Sequence, residues 1–287
     1  MTAKSQKGWD GEPGELLRVR EGFRLSDVDP DATPGYDGRK KHGQADLEAG
    51  EAQFDELQER LYAQSRVVPG SPSVLLVLQA MDTAGKGGIV RHVIGATDPQ
   101  GIRLTAFKKP TPEELQHDFL WRIERALPGP GYIGVFDRSH YEDVLIGRVR
   151  ALAPPEEIER RYDAINDFEK RVTDAGTRIV KVMLHISYEE QKTRLMERLE
   201  RPEKHWKYNP GDVDERELWP AYMDAYQTVF ERTSTAHAPW HVVPANAKWY
   251  ARLAVQELLL EALEAIDPQW PAADFDVETE KARLAAT

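Results

Sequence analysis

An apolar run, Ser73-Val74-Leu75-Leu76-Val77-Leu78-Gln79, leads directly into Ala80-Met81-Asp82-Thr83-Ala84-Gly85-Lys86-Gly87-Gly88. A run without polar alternation fits a strand buried on both faces, the habit of a parallel sheet covered by helices. A glycine-bearing loop between such a strand and a helix leaves backbone N–H groups free to cradle phosphate oxygens. Thr83, Ala84, Gly85, Gly87 and Gly88 are the candidate cradle, and Lys86 adds a point charge for terminal phosphates. The match to G-x-x-x-x-G-K-[ST] is imperfect: Ala80 replaces the first glycine, and Gly87 replaces the magnesium-binding hydroxyl. The plainer alternative is a glycine-rich turn with a solvated lysine. Asp82 sharpens the phosphate reading. A carboxylate inside an anion cradle makes sense if it holds Mg²⁺ or its waters, or orients a nucleophile.

The chain around this loop alternates strand and helix. Strands are expected at 73–79, 102–107, 132–136, 177–186 and 240–244. Helices are expected at 45–63, 86–96, 112–127, 155–175, 188–200, 218–233 and 248–266. In the first helix Leu47, Phe54, Leu57 and Leu61 recur on one face. Thr111 is the expected cap of the helix at 112–127. Residues 201–217 read as charged and irregular. Strand and helix alternating five times predict an α/β fold, a parallel five-stranded sheet with helices on both sides. Ligands in such sheets bind beyond the carboxyl ends of the strands. Residues 1–43, broken by Pro13, Pro30 and Pro34, read as an irregular arm packed along the body. Residues 44–267 form the main domain, and 268–287 read as a weakly held tail.

Two further stretches point to the same edge. The third strand ends Val135-Phe136-Asp137-Arg138-Ser139-His140-Tyr141-Glu142-Asp143. An acid at a strand tip either caps the next helix or faces the phosphate loop. With Asp82 it would flank one site, as metal-assisted transfer requires. Arg138 can neutralise a transferring phosphoryl group. Tyr141, Glu142 and Asp143 either read a nucleotide's ribose or base or form a first helical turn. His140 beside acids reads as a hydrogen-bonded structural group ahead of a phosphate carrier. Between 191 and 208 lies the densest basic stretch, with Arg194 and Arg198 on one helix face and Lys204 and Lys207 beyond. It reads as a lid at about 191–217 that closes cations over phosphates and excludes water. The plainer alternative is a solvated helix face paired with neighbouring glutamates.

Composition narrows the field. The 287 residues carry a net charge of −11 and no cysteine. Thiolate catalysis, iron–sulfur clusters, cysteine zinc sites and a disulfide scaffold are excluded. An acidic surface is a poor nonspecific binder of nucleic acid or membrane. No apolar run approaches a membrane span, and Met1 to Pro13 lacks the apolar core of a signal peptide. The expectation is a soluble, cytoplasmic protein.

Taken together, the loop 79–88, the stretch Phe136 to Asp143, and Arg198-Leu199-Glu200-Arg201-Pro202-Glu203-Lys204-His205-Trp206-Lys207 with Asp212 resemble the polyphosphate kinase 2 family. Asp98-Pro99-Gln100-Gly101 and His117-Asp118-Phe119-Leu120-Trp121 are similar to it as well. The resemblance spans roughly residues 25–265. It implies a three-layer α/β/α P-loop kinase fold with a helical lid, similar to thymidylate kinase. It implies Mg²⁺-dependent, reversible phosphoryl transfer between inorganic polyphosphate and a nucleotide, AMP or ADP, with other nucleotides open, and a homo-oligomer. By motif match, Asp82 and Asp137 would organise metal and phosphates, and Lys86 and Arg138 would stabilise transferring charge. Arg194, Arg198, Lys204 and Lys207 would close over the substrates. Ser139 to Val144 looks most like the group acting on both AMP and ADP. The Lys86-Gly87-Gly88 run departs from that group, in which an acid follows the lysine. An ATP-dependent nucleotide or nucleoside kinase and a non-catalytic nucleotide-binding regulator are the rival readings.

Overall fold

Strand β1 (Ser73–Ala80) lies at the centre of a five-stranded parallel sheet. The others are β2 (Ile102–Ala106), β3 (Ile133–Asp137), β4 (Thr177–His185) and β5 (Trp240–Pro244), in the order β2-β3-β1-β4-β5. The structure is a computed structural model that describes residues 8–287; the first seven residues of the arm lie outside the described residues. The sheet matches the alternation expected from the sequence. Leaving β1, the chain runs out to β2, returns to β3, and then crosses to β4. The direction of winding therefore reverses at β1. The crevice beyond its carboxyl end is where an open sheet of this kind binds ligands.

Among the described residues, eleven α-helices accompany the sheet: α1 (Pro13–Leu16), α2 (Lys40–Ser65), α3 (Lys86–His92), α4 (Trp121–Glu124), α5 (Ile146–Val149), α6 (Pro155–Asp174), α7 (Tyr188–Glu200), α8 (Gly211–Glu217), α9 (Trp219–Thr233), α10 (Lys248–Ile266) and α11 (Val277–Ala285). Successive side chains of a strand point to opposite faces, and the core divides accordingly. Val74, Leu76 and Leu78 of β1 pack with residues of α2, α3 and α10. Leu75 and Val77 pack with residues of α6 and α9. Among the described residues, no helix is long and apolar enough to cross a membrane.

Several boundaries differ from expectation for local reasons. The helix expected at 112–127 is broken. Thr111 and Glu114 form a reciprocal capping box, with Thr111 N donating to Glu114 Oε2 at 2.8 Å and Glu114 N to Thr111 Oγ1 at 3.2 Å. His117 is then extended, and Asp118 Oδ1 accepts from Leu120 N at 3.0 Å, restarting the chain as α4. His117 instead stacks on Trp121, with ring centroids 4.0 Å apart. The first long helix begins at Lys40, ahead of the expected 45 and inside the stretch read as arm. The segment 201–217 holds a 3₁₀ turn at Pro202–Lys207 and the helix α8. The tail carries α11, which buries no residue. The arm is anchored: Val19 N donates to Trp240 O at 2.8 Å and Val242 N to Leu17 O at 3.0 Å. An antiparallel bridge at Arg18 and His241 thereby covers the open edge of β5.

Candidate active site

The loop after β1 turns sharply. Thr83 has φ +67° and Gly85 φ +125°. The second value is glycine territory, so the glycine before the lysine is set by geometry. Gly85 caps α3, leaving the first amides of that helix without intrahelical acceptors. Lys86 Nζ folds back to Ala80 O at 3.3 Å, which places its charge over the loop. Gly87 and Gly85 face open space.

The tip of β3 meets this loop. Asp137 is the last residue of β3, aligned with Leu78 of β1 and Ala106 of β2. By strand alternation it shares a face with Ile133 and Val135, the face packed against α3. Arg138 follows with φ +66°. Its Nη2 donates to Asp82 Oδ1 at 3.0 Å, and its Nη1 lies 3.8 Å from Glu142 Oε2. Burial works against the Arg138 charge, but Glu142, Asp82 and Asp137 outweigh it and raise its pKa. Burial raises the Glu142 carboxyl, against the pull of Arg138 and Lys86. The buried Gln79 amide fits its neighbours with its nitrogen 3.0 Å from Glu142 Oε1 and its oxygen 3.3 Å from Ser139 N. Sequence reasoning passed over Gln79 because it ends an apolar run.

Under this tip lies a closed polar cluster. Lys181 Nζ donates to Glu169 Oε2 at 2.6 Å, Tyr141 Oη at 2.8 Å and Thr233 O at 2.8 Å. Tyr141 Oη donates to Glu169 Oε1 at 2.8 Å, and His140 Nε2 lies 3.2 Å from the same oxygen. Lys181 and Glu169 are fully buried. His140 is thus a structural anchor of the turn that carries Arg138 and Glu142. Asp143 turns away, 3.4 Å from Arg161 and 3.8 Å from Arg122. Burial raises its carboxyl against those two cations.

The basic stretch divides into two roles. Arg194 is buried, and its guanidinium donates to the backbone carbonyls of Thr83, Ala84, Ala245 and Asn246 at 2.7–3.1 Å. It braces the phosphate loop from beneath and does not face the cleft. Gln191 helps, its Nε2 donating to Asp82 O at 3.1 Å. Arg198 Nη1 donates to Lys207 O at 2.9 Å and lies 3.4 Å from Asp212 Oδ2. Burial, then the charge of Asp82, raises the Asp212 carboxyl. Lys207 lies over the Trp206 ring at 4.8 Å, and Trp206 is 79 % exposed. Lys204 is part-exposed beside them.

A cavity of about 240 Å³ lies between these parts. Asp82, Arg138, Glu142 and Asp212 line it, with Tyr222 and Tyr226 of α9. The two tyrosines, four apart on one helix face, were absent from the sequence-derived site. Their spacing is the signal that could have found them.

A parallel sheet with a lysine-bearing glycine loop at its switch point and an arginine–carboxylate pair beside it defines a phosphate-loop phosphotransferase. A family model described as polyphosphate kinase 2 matches residues 39–271. The chain belongs to the polyphosphate kinase 2 family, and it is an enzyme, a kinase. An AMP/ADP-polyphosphate phosphotransferase of Meiothermus ruber is 44% identical over 87% of this chain and 91% of that protein. An ADP-polyphosphate phosphotransferase of Rhodopseudomonas palustris is 42% identical over 90% of each. The crystal structure of a polyphosphate kinase 2 from Arthrobacter aurescens superposes with a TM-score of 0.94 at 60% identity, covering 97% of this chain and 98% of that one.

Proposed function

We propose that the enzyme transfers a phosphoryl group between inorganic polyphosphate and an adenine nucleotide, AMP or ADP, reversibly and with Mg²⁺. The observation that carries this reading is the meeting of Arg138 with Asp82 above the phosphate loop. An oxygen of the nucleotide's terminal phosphate attacks the terminal phosphorus of the polyphosphate. The P–O bond of the anhydride breaks, and the shortened chain leaves with the electron pair. The attacking oxygen is already ionised, so no general base is required. The transition state is loose, and catalysis is positioning plus charge. Lys86 and Arg138 face the charge that shifts onto the leaving oxygen. The nucleotide occupies the cleft beside Tyr222 and Tyr226, and the segment 191–217 closes over it, excluding water.

Among the described residues, no three His, Cys, Asp or Glu side chains group to hold a metal by themselves. Asp82 and Asp137 nonetheless suit Mg²⁺, which takes one or two carboxylates and completes its shell with phosphate oxygens and water. When bound, that ion screens the phosphate charge. The test is an assay of ADP and ATP formation from long-chain polyphosphate with AMP or ADP, with and without a chelator. Product in either lane that the chelator abolishes supports the reading. Transfer from ATP alone favours an ordinary nucleotide kinase.

A further inference from the structure

The phosphate loop leans on helix α7. Gln191 Nε2 donates to Asp82 O at 3.1 Å. Arg194, three residues on along the same helix face, donates to Thr83 O at 3.1 Å and Ala84 O at 2.8 Å. The carbonyls of three consecutive loop residues are therefore drawn to one helix. A carbonyl oxygen repels a phosphate, so holding all three on the α7 side favours an anion cradle built from amides. The Asp82 carbonyl belongs to the peptide that enters Thr83, where φ is +67°. A β-branched residue is strained in that region. A hydrogen bond that fixes the preceding peptide plane holds the strain in place.

Gln191 is a relay between two elements. Its Oε1 accepts from Arg216 Nη1 at 2.8 Å, and the same nitrogen donates to Tyr188 O at 2.9 Å. Arginine has no acceptor, so Arg216 fixes the amide with its oxygen toward α8 and its nitrogen toward Asp82. The Arg216 guanidinium also lies over the Tyr188 ring, 3.8 Å from its centroid. Gln191 is 2 % exposed and Arg216 8 %, so water is a poor substitute for either partner. The helix that carries Arg216 also brings Asp212 and Glu215 to the cleft that Asp82 and Arg138 line. Glu215 accepts from Arg150 Nη2 at 2.8 Å and from Tyr222 Oη at 2.6 Å. The seat of α8 thus fixes the Arg216 guanidinium and, through one amide, the Asp82 peptide.

We propose that Gln191 and Arg216 are positioning residues of the transfer site. The relay from Arg216 through Gln191 sets the Asp82 peptide, and with it the aim of the Asp82 carboxylate at Arg138, when α8 is seated. Loop order and closure of the 191–217 segment are then one event, because α8 cannot lift without Gln191 losing its partner. This rests on the reading above, in which Asp82 and Arg138 face the transferring group. It does not depend on whether the donor is polyphosphate or ATP.

The test is steady-state kinetics of Gln191→Met, Arg216→Met and Arg216→Lys with ADP and long-chain polyphosphate, beside melting curves. Gln191→Met is repeated in an Arg138→Lys background. Gln191→Met and Arg216→Met each lower kcat about 10-fold. KM for both substrates stays within about 2-fold. Arg216→Lys, which still donates to Gln191, recovers part of the rate. In the Arg138→Lys background Gln191→Met costs less than about 3-fold, because it acts through a pairing already weakened. A purely structural role would lower the melting temperature and leave kcat of the folded protein intact. Where Gln191→Met does not fold, Gln191→Glu carries the comparison, since it keeps Arg216 as a partner and cannot donate to Asp82 O. Unchanged kcat in the folded variants, or an equal cost in both backgrounds, overturns the relay. Wild type that transfers from ATP and not from polyphosphate overturns the polyphosphate reading alone, and the same comparison is then read with ATP as donor to AMP. Wild type that transfers from neither overturns both.

Discussion

Arg138 Nη2 donates to Asp82 Oδ1 at 3.0 Å, so the cation from the tip of β3 and the acid within the phosphate loop meet across the cleft. Both side chains are about a third exposed, so the pair contributes little to stability, under about 1 kcal/mol. In the proposed mechanism its value is catalytic. Arg138→Ala should lower kcat about 10²–10³-fold. Arg138→Lys keeps the charge but loses the fork, and should retain only part of the rate. Melting temperatures close to wild type, measured beside steady-state kinetics, would separate this from misfolding.

The Lys181–Glu169 pair makes the opposite prediction. Desolvation lowers the Lys181 pKa despite Glu169, while Glu169 is held low by Lys181 and His140 against its own desolvation. Lys181→Met leaves a buried carboxylate unpaired and should cost about 3–5 kcal/mol in urea denaturation. Adding Glu169→Leu should recover roughly half of that loss. A double variant no better than the single one would show that the cluster is held by its hydrogen bonds to Tyr141 and Thr233.

His241 sets an acid limit. It is buried, its Nδ1 lies 3.2 Å from Lys181 O, and burial lowers its pKa from 6.5 to about 4. The unfolded chain therefore binds a proton between those values that the folded chain refuses. Stability contributed by the neutral ring is present above 6.5 and is lost as pH falls through about 4. The full difference is roughly 3–4 kcal/mol. His241→Asn should flatten the loss of stability between pH 6.5 and 4 in denaturation curves. An unchanged slope would assign the acid sensitivity elsewhere.

Arg194 acts through the loop it braces. Its guanidinium satisfies four carbonyls that would otherwise lose partners. Arg194→Met should destabilise by about 3 kcal/mol and raise KM for both substrates, because the cradle loses its shape. Arg198→Met, at a part-exposed site, should shift melting much less while still impairing turnover.

Much of this was legible beforehand. The unbroken apolar run of β1 and the strand–helix alternation specify a buried parallel sheet, and Gly85-Lys86 specifies the loop. Asp82 stood out because it is electrostatically wrong for a bare anion site. What stayed hidden depends on long-range packing. The helix at 112–127 reads as continuous by propensity, but the Asp118 cap and the His117–Trp121 stack end it locally. Arg194 and Arg198 share a helix face, yet one is buried on carbonyls from two loops and the other is not. No spacing rule separates them. Tyr222 and Tyr226 were absent from the sequence-derived site because only the tertiary fold brings α9 to the cleft.

The central claim is tested most directly by one comparison: wild type and Asp82→Asn, each given Mg²⁺, ADP or AMP, and long-chain polyphosphate, with ATP or ADP formation followed over time. The account predicts product with the wild type and a loss of about 10²-fold or more in the variant, with the variant's melting temperature retained. No product from polyphosphate with the wild type, alongside brisk transfer from ATP to a nucleotide or nucleoside, would contradict it.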